Sequence, residues 1–230
     1  MNRAGLAIFV KTPSLSPVKT RLSARIGQHC AEAFHLASAE AVASVSVDAQ
    51  ARVDLAVYWA VAEPEAMRSE LWSGLPKLEQ GPGGLGTRLA NIHRRLLGMH
   101  RAAILIGADA PQVTAERLVR AVTWLDADQP RLVIGRANDG GFWTFGSNVP
   151  IPESVWCGVR YSASDTASRF MESARDRGQC LELDSFDDVD TYDDFAPTLR
   201  AITILARPTE AQRRLASWMS EVMRRGGRCA

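Results

Sequence analysis

Two fixed positive charges stand in the run Lys19-Thr20-Arg21-Leu22, a few residues beyond the apolar stretch Gly5-Leu6-Ala7-Ile8-Phe9-Val10. Such a stretch reads as a buried strand, and ligands of open α/β sheets bind outside the carboxyl ends of their strands. Backbone N–H groups and the helix dipole favour negative charge at a strand-to-helix turn, so the guest expected there is a phosphate. Lysine supplies a mobile point charge and arginine a planar fork of donors, a combination suited to a diphosphate. Lys11 opens the same loop, and Pro13 and Pro17 stiffen it.

Three further loops carry chemistry of related kinds. Gln80-Gly81-Pro82-Gly83-Gly84-Leu85-Gly86 leads into Thr87 and Arg88 at a helix start, and its glycines let backbone approach a flat ligand such as a base or ribose. The run matches neither the P-loop spacing nor the GxGxxG fingerprint. Ile106-Gly107-Ala108-Asp109-Ala110-Pro111 ends a very apolar stretch. An acid there suits a divalent cation, because Mg²⁺ typically uses one or two carboxylates together with substrate phosphates. The competing use of Asp109 is an Asx turn or a cap for the helix after Thr114. In Asn138-Asp139-Gly140-Gly141-Phe142 a hairpin signal competes with a functional use. That use makes Gly140 and Gly141 backbone donors to an acceptor substrate and Asp139 the group that takes its proton.

The run Asp187-Asp188-Val189-Asp190-Thr191-Tyr192-Asp193-Asp194 offers Asp190 as a second metal ligand, with helix capping as the alternative. His29, His35, His93 and His100 fall outside these loops and read as structural. The chain has no GxSxG elbow, no HExxH and no cysteine beside a plausible base.

The elements that must position these loops alternate between short apolar runs and longer segments of helical period, the pattern of a mostly parallel sheet covered on both faces. Strands are expected at 6–10, 53–59, 77–80, 103–107 and 131–135, with shorter candidates at 142–146 and 180–183. Helices are expected at about 29–47, 64–74, 85–100, 115–125 and 163–177, with Phe34, Ala37, Ala41, Val42 and Val45 on one core-facing stripe of the first. The fold class is therefore a single-domain, Rossmann-like three-layer α/β/α sandwich over residues 1–200, with a C-terminal helical extension over 201–230. Leu215, Trp218, Met219 and Val222 form a stripe on that last helix; docking on the body is its simplest use, and a homodimer contact competes.

With 230 residues and 46% hydrophobic content, the chain can bury a two-sided sheet core. Twenty-seven Lys and Arg balance 26 Asp and Glu, for a formal charge of +1, so nothing draws the molecule as a whole to nucleic acid or an anionic membrane. Cys30, Cys157, Cys180 and Cys229 lack metal or redox spacing and read as reduced thiols. Lys11 interrupts the first apolar run, and no run of about 18 apolar residues occurs, so a cytoplasmic location is expected.

Taken in order, these pieces resemble the nucleotide-diphospho-sugar transferase superfamily with the glycosyltransferase A fold. More narrowly they resemble the bacterial family DUF2064, which includes glycosyltransferases associated with arsenosugar biosynthesis. The family pattern runs roughly KxPxPGxVKTRL, GDLGxRM, IGSDCPxLT, DGGYxLIG and DVDTxxDL, and the resemblance spans about residues 5 to 195. It implies nucleotide contacts from Lys11, Thr12, Pro13, Lys19 and Arg21, from Gly81, Gly84 and Arg88, and from Ala108 and Asp109. It further implies that Asp109 is the metal-binding acid with Asp190 close by, and that Asp139, Gly140, Gly141 and Phe142 face the acceptor. Departures stand at Ser16 for Gly, Gly84 for Asp, Ala108 and Ala110 for Ser and Cys, and Tyr161-Ser162 for Trp-Ser.

The activity this implies is a metal-dependent glycosyltransferase that uses a nucleotide-diphosphate sugar and a small-molecule acceptor. Mg²⁺ or Mn²⁺ would neutralise the departing diphosphate, Lys19 and Arg21 would steady it, and Asp139 is the candidate base for an inverting reaction. A nucleotidyltransferase that joins a nucleoside triphosphate to a phosphorylated or phosphonate acceptor with release of pyrophosphate is the alternative, since the Lys-Thr-Arg-Leu and Asp-Gly-Gly pieces also resemble 2-phospholactate guanylyltransferases. A non-catalytic nucleotide-binding domain is the reading that Ser16, Gly84 and Ala110 motivate.

Overall fold

A computed structural model describes residues 3–227 and 229 of the chain. Seven strands form one sheet in the order β3-β2-β1-β4-β6-β5-β7: β1 (Ala4–Val10), β2 (Leu55–Val61), β3 (Lys77–Glu79), β4 (Ala102–Gly107), β5 (Arg131–Ala137), β6 (Phe142–Ser147) and β7 (Gln179–Phe186). All neighbours run parallel except β6, which is antiparallel to both β4 and β5. The reversal comes from the Asp139-Gly140 hairpin, the one strand connection too short for a helical crossover.

The strands' two-sided burial explains their near-continuous apolar sequences. On one face Leu6, Ile8 and Val10 of β1 pack with Val42 and Val45 of α2 (Gln28–Gln50) and Leu118 and Val122 of α4 (Ala115–Leu125). On the other, Ala7, Leu105 and Phe145 meet Ile92 and Leu96 of α3 (Leu85–Met99), Trp156 of α5 (Glu153–Cys157) and Phe170 of α6 (Thr166–Ala174).

A third cluster lies beyond α2. Leu22 and Ile26 of α1 (Thr20–Ile26), Phe34 and Ala41 of α2, Phe195 and Ile202 of α7 (Phe195–Thr203), and Leu215, Met219 and Val222 of α8 (Glu210–Arg224) share it. The single stripe expected on α2 is thus divided: Val42 and Val45 face the sheet, while Phe34, Ala37 and Ala41 face the C-terminal helices. The stripe of α8 is covered within the chain, and residue 200 falls inside α7. Gln212, buried in α8, donates to the Pro111 and Val113 carbonyls at 2.7 and 2.9 Å, which ties this helix to the turn after β4.

Several local expectations change. Residues 64–74 form two short 3₁₀ pieces, Pro64–Arg68 and Glu70–Trp72, in place of one α-helix. Ser69 interrupts them by accepting the Leu71 N–H on its hydroxyl, the local bonding that favours turns over helix interiors. Helices α1, α5 and α7 add to those expected, and α6 is shorter than the run 163–177. The four cysteines are not all free: Cys30 and Cys229 are joined in a disulfide, their Cα atoms 5.8 Å apart, while Cys157 and Cys180 are free and exposed. A separation of 199 residues hides that pair in sequence, and α8 creates it by returning the tail to the start of α2. No helix among the described residues is long and apolar enough to cross a membrane.

Candidate active site

A pocket of about 880 Å³ opens where β1 and β4 end, bounded by the loop after β1, the start of α3, the β5–β6 turn and residues 188–190. Its location agrees with the rule for ligand sites in open α/β sheets.

One wall is ionic. Lys19 caps α1 with a left-handed backbone (φ 48°, ψ 44°), a conformation that costs a non-glycine residue roughly 1–2 kcal/mol. Its side chain is only 5% exposed, with Nζ 2.9 Å from Asp109 Oδ1 and 3.4 Å from Asp190 Oδ1. Burial pulls the Lys19 ammonium down, but Asp109 above all, then Asp190 and Asp188, outweigh it and hold its pKa above the ordinary lysine value. Asp109 answers in kind: burial disfavours its charge, yet Lys19 keeps it below the usual carboxylate range. Arg21, 71% exposed, reaches Asp190 Oδ2 with Nη2 at 2.9 Å. The two residues expected to hold phosphate are therefore already engaged with acids.

The acidic segment is carried to this place by three bonds that the sequence does not announce. Val189 N–H donates to the Asp109 carbonyl at 3.5 Å, Gln112 Nε2 to the Asp187 carbonyl at 2.8 Å, and Asn138 Nδ2 to Asp187 Oδ1 at 2.6 Å. Asp194 stands at the N-cap of α7 but makes no side-chain cap bond; its Oδ2 instead accepts the N–H groups of Asp190 and Thr191 at 3.0 and 2.7 Å, which closes the loop before the helix, and Asp190 lines the pocket. Thr114 caps α4 by accepting the Arg117 N–H at 3.4 Å, which leaves Asp109, 41% exposed, at the pocket floor. Asp188, which the sequence reading passed over, also lines the pocket. Burial, with Asp109, Asp139 and Asp190 adding to it, pushes its carboxyl up to about 7, and its Oδ1 is buried without a hydrogen-bond partner.

This donor set fits a hard divalent cation. Carboxylate oxygens outnumber the buried positive charges; Asp188 Oδ1 has no partner, and Asp109 Oδ1 has only its ion pair with Lys19. Among the described residues no three His, Cys, Asp or Glu side chains converge enough to hold an ion unaided, so further oxygens must come from a ligand.

Other expected contacts are redistributed. Lys11 lines the pocket, whereas Thr12 and Pro13 are absent from its lining. Thr12 is buried; its N–H donates to Glu63 Oε2 at 2.9 Å and its Oγ1 accepts from Trp72 Nε1 at 3.0 Å, so it anchors the loop. Ser16 needs no positive φ, because the left-handed positions of this loop are Ser14 and Lys19. Gly81 and Gly84 turn away, and the flanks of their loop, Gln80, Leu85 and Arg88, line the pocket instead. The Gln80 amide donates to the Val10 and Ala60 carbonyls at 3.2 and 2.8 Å, which fixes it between β1 and β2. Ala108 lines the pocket, its carbonyl accepting Ser38 Oγ at 2.6 Å. His35 reaches the wall from α2 and donates through Nε2 to the Lys11 carbonyl at 2.9 Å; burial lowers its pKa. Its helical position, away from every loop, concealed it.

Another part of the lining is aromatic. Asp139, Gly141, Phe142, Trp143 and Tyr161 line it. The backbone donors expected for an acceptor are taken up inside the turn: Gly140 N–H bonds the Ala137 carbonyl at 3.0 Å and Gly141 N–H bonds Asp139 Oδ1 at 2.8 Å. Gly140, at φ 94°, lies against the backbone of Ser164, where a Cβ would meet the carbonyl oxygen at 2.0 Å, so its role is to seat the hairpin. Phe142 packs on Phe170 with centroids 5.3 Å apart, and the Tyr161 hydroxyl donates to the Trp156 carbonyl at 2.8 Å.

A family model, DUF2064, described as an uncharacterized protein conserved in bacteria, matches residues 28–163, more than half of the chain. Among solved structures, a protein from Desulfovibrio desulfuricans G20 assigned as a nucleotide-diphospho-sugar transferase superposes with a TM-score of 0.84 at 22% identity, covering 100% of both chains. A nucleotidyl transferase from Methanothermobacter thermautotroptrophicus has a TM-score of 0.54 at 13% identity over 87% of this chain and 99% of its own. A cytidylyltransferase from Leptospira borgpetersenii has 0.53 at 11% identity over 98% and 95%. These likenesses establish a shared fold. No curated protein matches the chain.

Proposed function

The chain belongs to the DUF2064 family, and from that premise we propose that it is a glycosyltransferase acting on a nucleotide-diphosphate sugar and a small-molecule acceptor. The observation that carries this reading is the meeting of Lys19, Arg21, Asp109 and Asp190 in one pocket. The assignment of the Desulfovibrio protein as a nucleotide-diphospho-sugar transferase agrees with it.

In this reading Lys11, Lys19 and Arg21 bind the diphosphate, and Asp109 and Asp190 would hold Mg²⁺ or Mn²⁺. When bound, the ion supplies charge neutralisation for the departing nucleoside diphosphate. Gln80, Leu85 and Arg88 flank the nucleoside, and the acceptor lies on Phe142 and Tyr161. Asp139 Oδ1 is occupied by the Gly141 N–H, so Oδ2 is the oxygen that takes the acceptor's hydroxyl proton in an inverting transfer.

A thermal-shift panel of nucleoside di- and triphosphates and nucleotide sugars, with and without Mn²⁺, tests the site. A ligand at 100 times its Kd should stabilise the wild type by roughly 2.7 kcal/mol, and Asp109→Ala should abolish the metal-dependent part. Product analysis then decides the reaction. Release of nucleoside diphosphate supports sugar transfer, and release of pyrophosphate replaces it with nucleotidyl transfer.

A further inference from the structure

Lys19 occupies a position that a free phosphate ligand would not need. Its ammonium is buried, lies 2.9 Å from Asp109 and 3.4 Å from Asp190, and is held there by a left-handed residue at the head of α1. Asp109 and Asp190 are also the groups assigned above to the divalent cation, so one positive charge already stands between the ligands of another. A dication entering the pocket without a ligand would meet that ammonium at close range, with Asp188, whose Oδ1 has no partner, left to favour it. A diphosphate changes the balance. It brings negative charge and oxygen donors to the same wall, and the four-carbon stem of lysine lets the ammonium turn from carboxylate to phosphate while the backbone stays in place.

We propose that Lys19 is a built-in counter-ion which keeps Asp109 and Asp190 closed to free divalent cations, so that the metal is taken up only with the diphosphate. The inference rests on the donor-and-metal reading of the pocket. Lys19 then acts as a positioning residue with two stations, the acids in the resting protein and the phosphates in the loaded one.

Electron paramagnetic resonance of free Mn²⁺ tests this on the full chain, with and without UDP, GDP, CDP or ADP. The wild type alone should bind Mn²⁺ at least tenfold more weakly than in the presence of the diphosphate its pocket accepts. Lys19→Met should bind Mn²⁺ alone at least tenfold more tightly than the wild type and show a smaller gain on adding that nucleotide. Lys19→Arg, which keeps the charge, should retain the wild-type pattern, and Lys19→Gln serves where the methionine variant does not fold. Equal Mn²⁺ affinity of the wild type with and without nucleotide, or no gain in either neutral variant, overturns the counter-ion role while an Asp109-dependent metal site survives. Mn²⁺ binding that Asp109→Ala leaves unchanged under every condition removes the metal site, and the inference with it.

Discussion

On the side of the pocket formed by the β1 loop and residues 188–190, Lys19 and Arg21 are paired with Asp109 and Asp190 across long stretches of sequence. On the side formed by the β5–β6 turn and Tyr161, polar groups are satisfied by nearby backbone and aromatic rings face the opening. The first wall can exchange partners, because each ion pair is replaceable by a pair with a charged ligand. The second has little to exchange. Its rings rest on a buried cluster in which Trp156 lies 4.8 Å from Phe170 and 5.3 Å from both Phe145 and His93. In the proposed reading, charge recognition and shape recognition fall to separate parts of one cavity, and each can be perturbed separately.

The largest perturbation falls on the aromatic side. Trp156→Ala removes a fully buried ring and should cost about 3–5 kcal/mol in urea unfolding. At low temperature its metal-dependent nucleotide binding should stay near wild type; a parallel collapse of that binding would show that the walls are not independent.

Acid should act on the same side. Burial drives the His93 pKa from 6.5 down to about 3, so the unfolded chain binds the proton more readily than the folded one. The stability contributed is complete above pH 6.5 and is lost progressively as pH falls through the window toward 3, at about 1.4 kcal/mol per unit. Unfolding at pH 5 against pH 7 should therefore show a loss of roughly 2 kcal/mol, and His93→Gln should flatten that difference. A slope that persists in the variant would assign the acid sensitivity to the ionic wall instead.

The smallest effect belongs to Arg21. Its exposed pair with Asp190 is worth little to the fold, so Arg21→Ala should change stability by less than about 0.5 kcal/mol. Nucleoside diphosphate affinity should fall about fivefold at low salt, with the deficit shrinking as ionic strength rises. A salt-independent deficit would mean that Arg21 shapes the loop and does not attract the ligand.

What could be read in the chain follows the same division. β1, β2 and β4 were legible because each is a short apolar run, and the place of Asp109 in the pocket lining was legible from its position just after such a run. The antiparallel β6 was implicit in Asp139-Gly140, yet the same dipeptide hid the fact that its N–H groups are consumed in the turn. The partners of Lys19 could not be read: its ion pairs span 90 and 171 residues and depend on how β7 delivers the acids to the end of β4. The split face of α2 was equally out of reach, since its second side is defined by helices from the far end of the chain.

β7 lies at the edge of the sheet, pairs with β5, and is the least buried of the long strands. Asp188 and Asp190 follow within four residues of its last residue, Phe186. Local opening of an edge strand takes less free energy than global unfolding, and here it would carry two of the three acids out of reach of Lys19 while the rest of the sheet held. Amide exchange in residues 179–190 therefore sets an upper bound on the fraction of time the site exists, and a ligand that bridges Asp109 to Asp190 should slow that exchange as if it were a rivet through the sheet's margin.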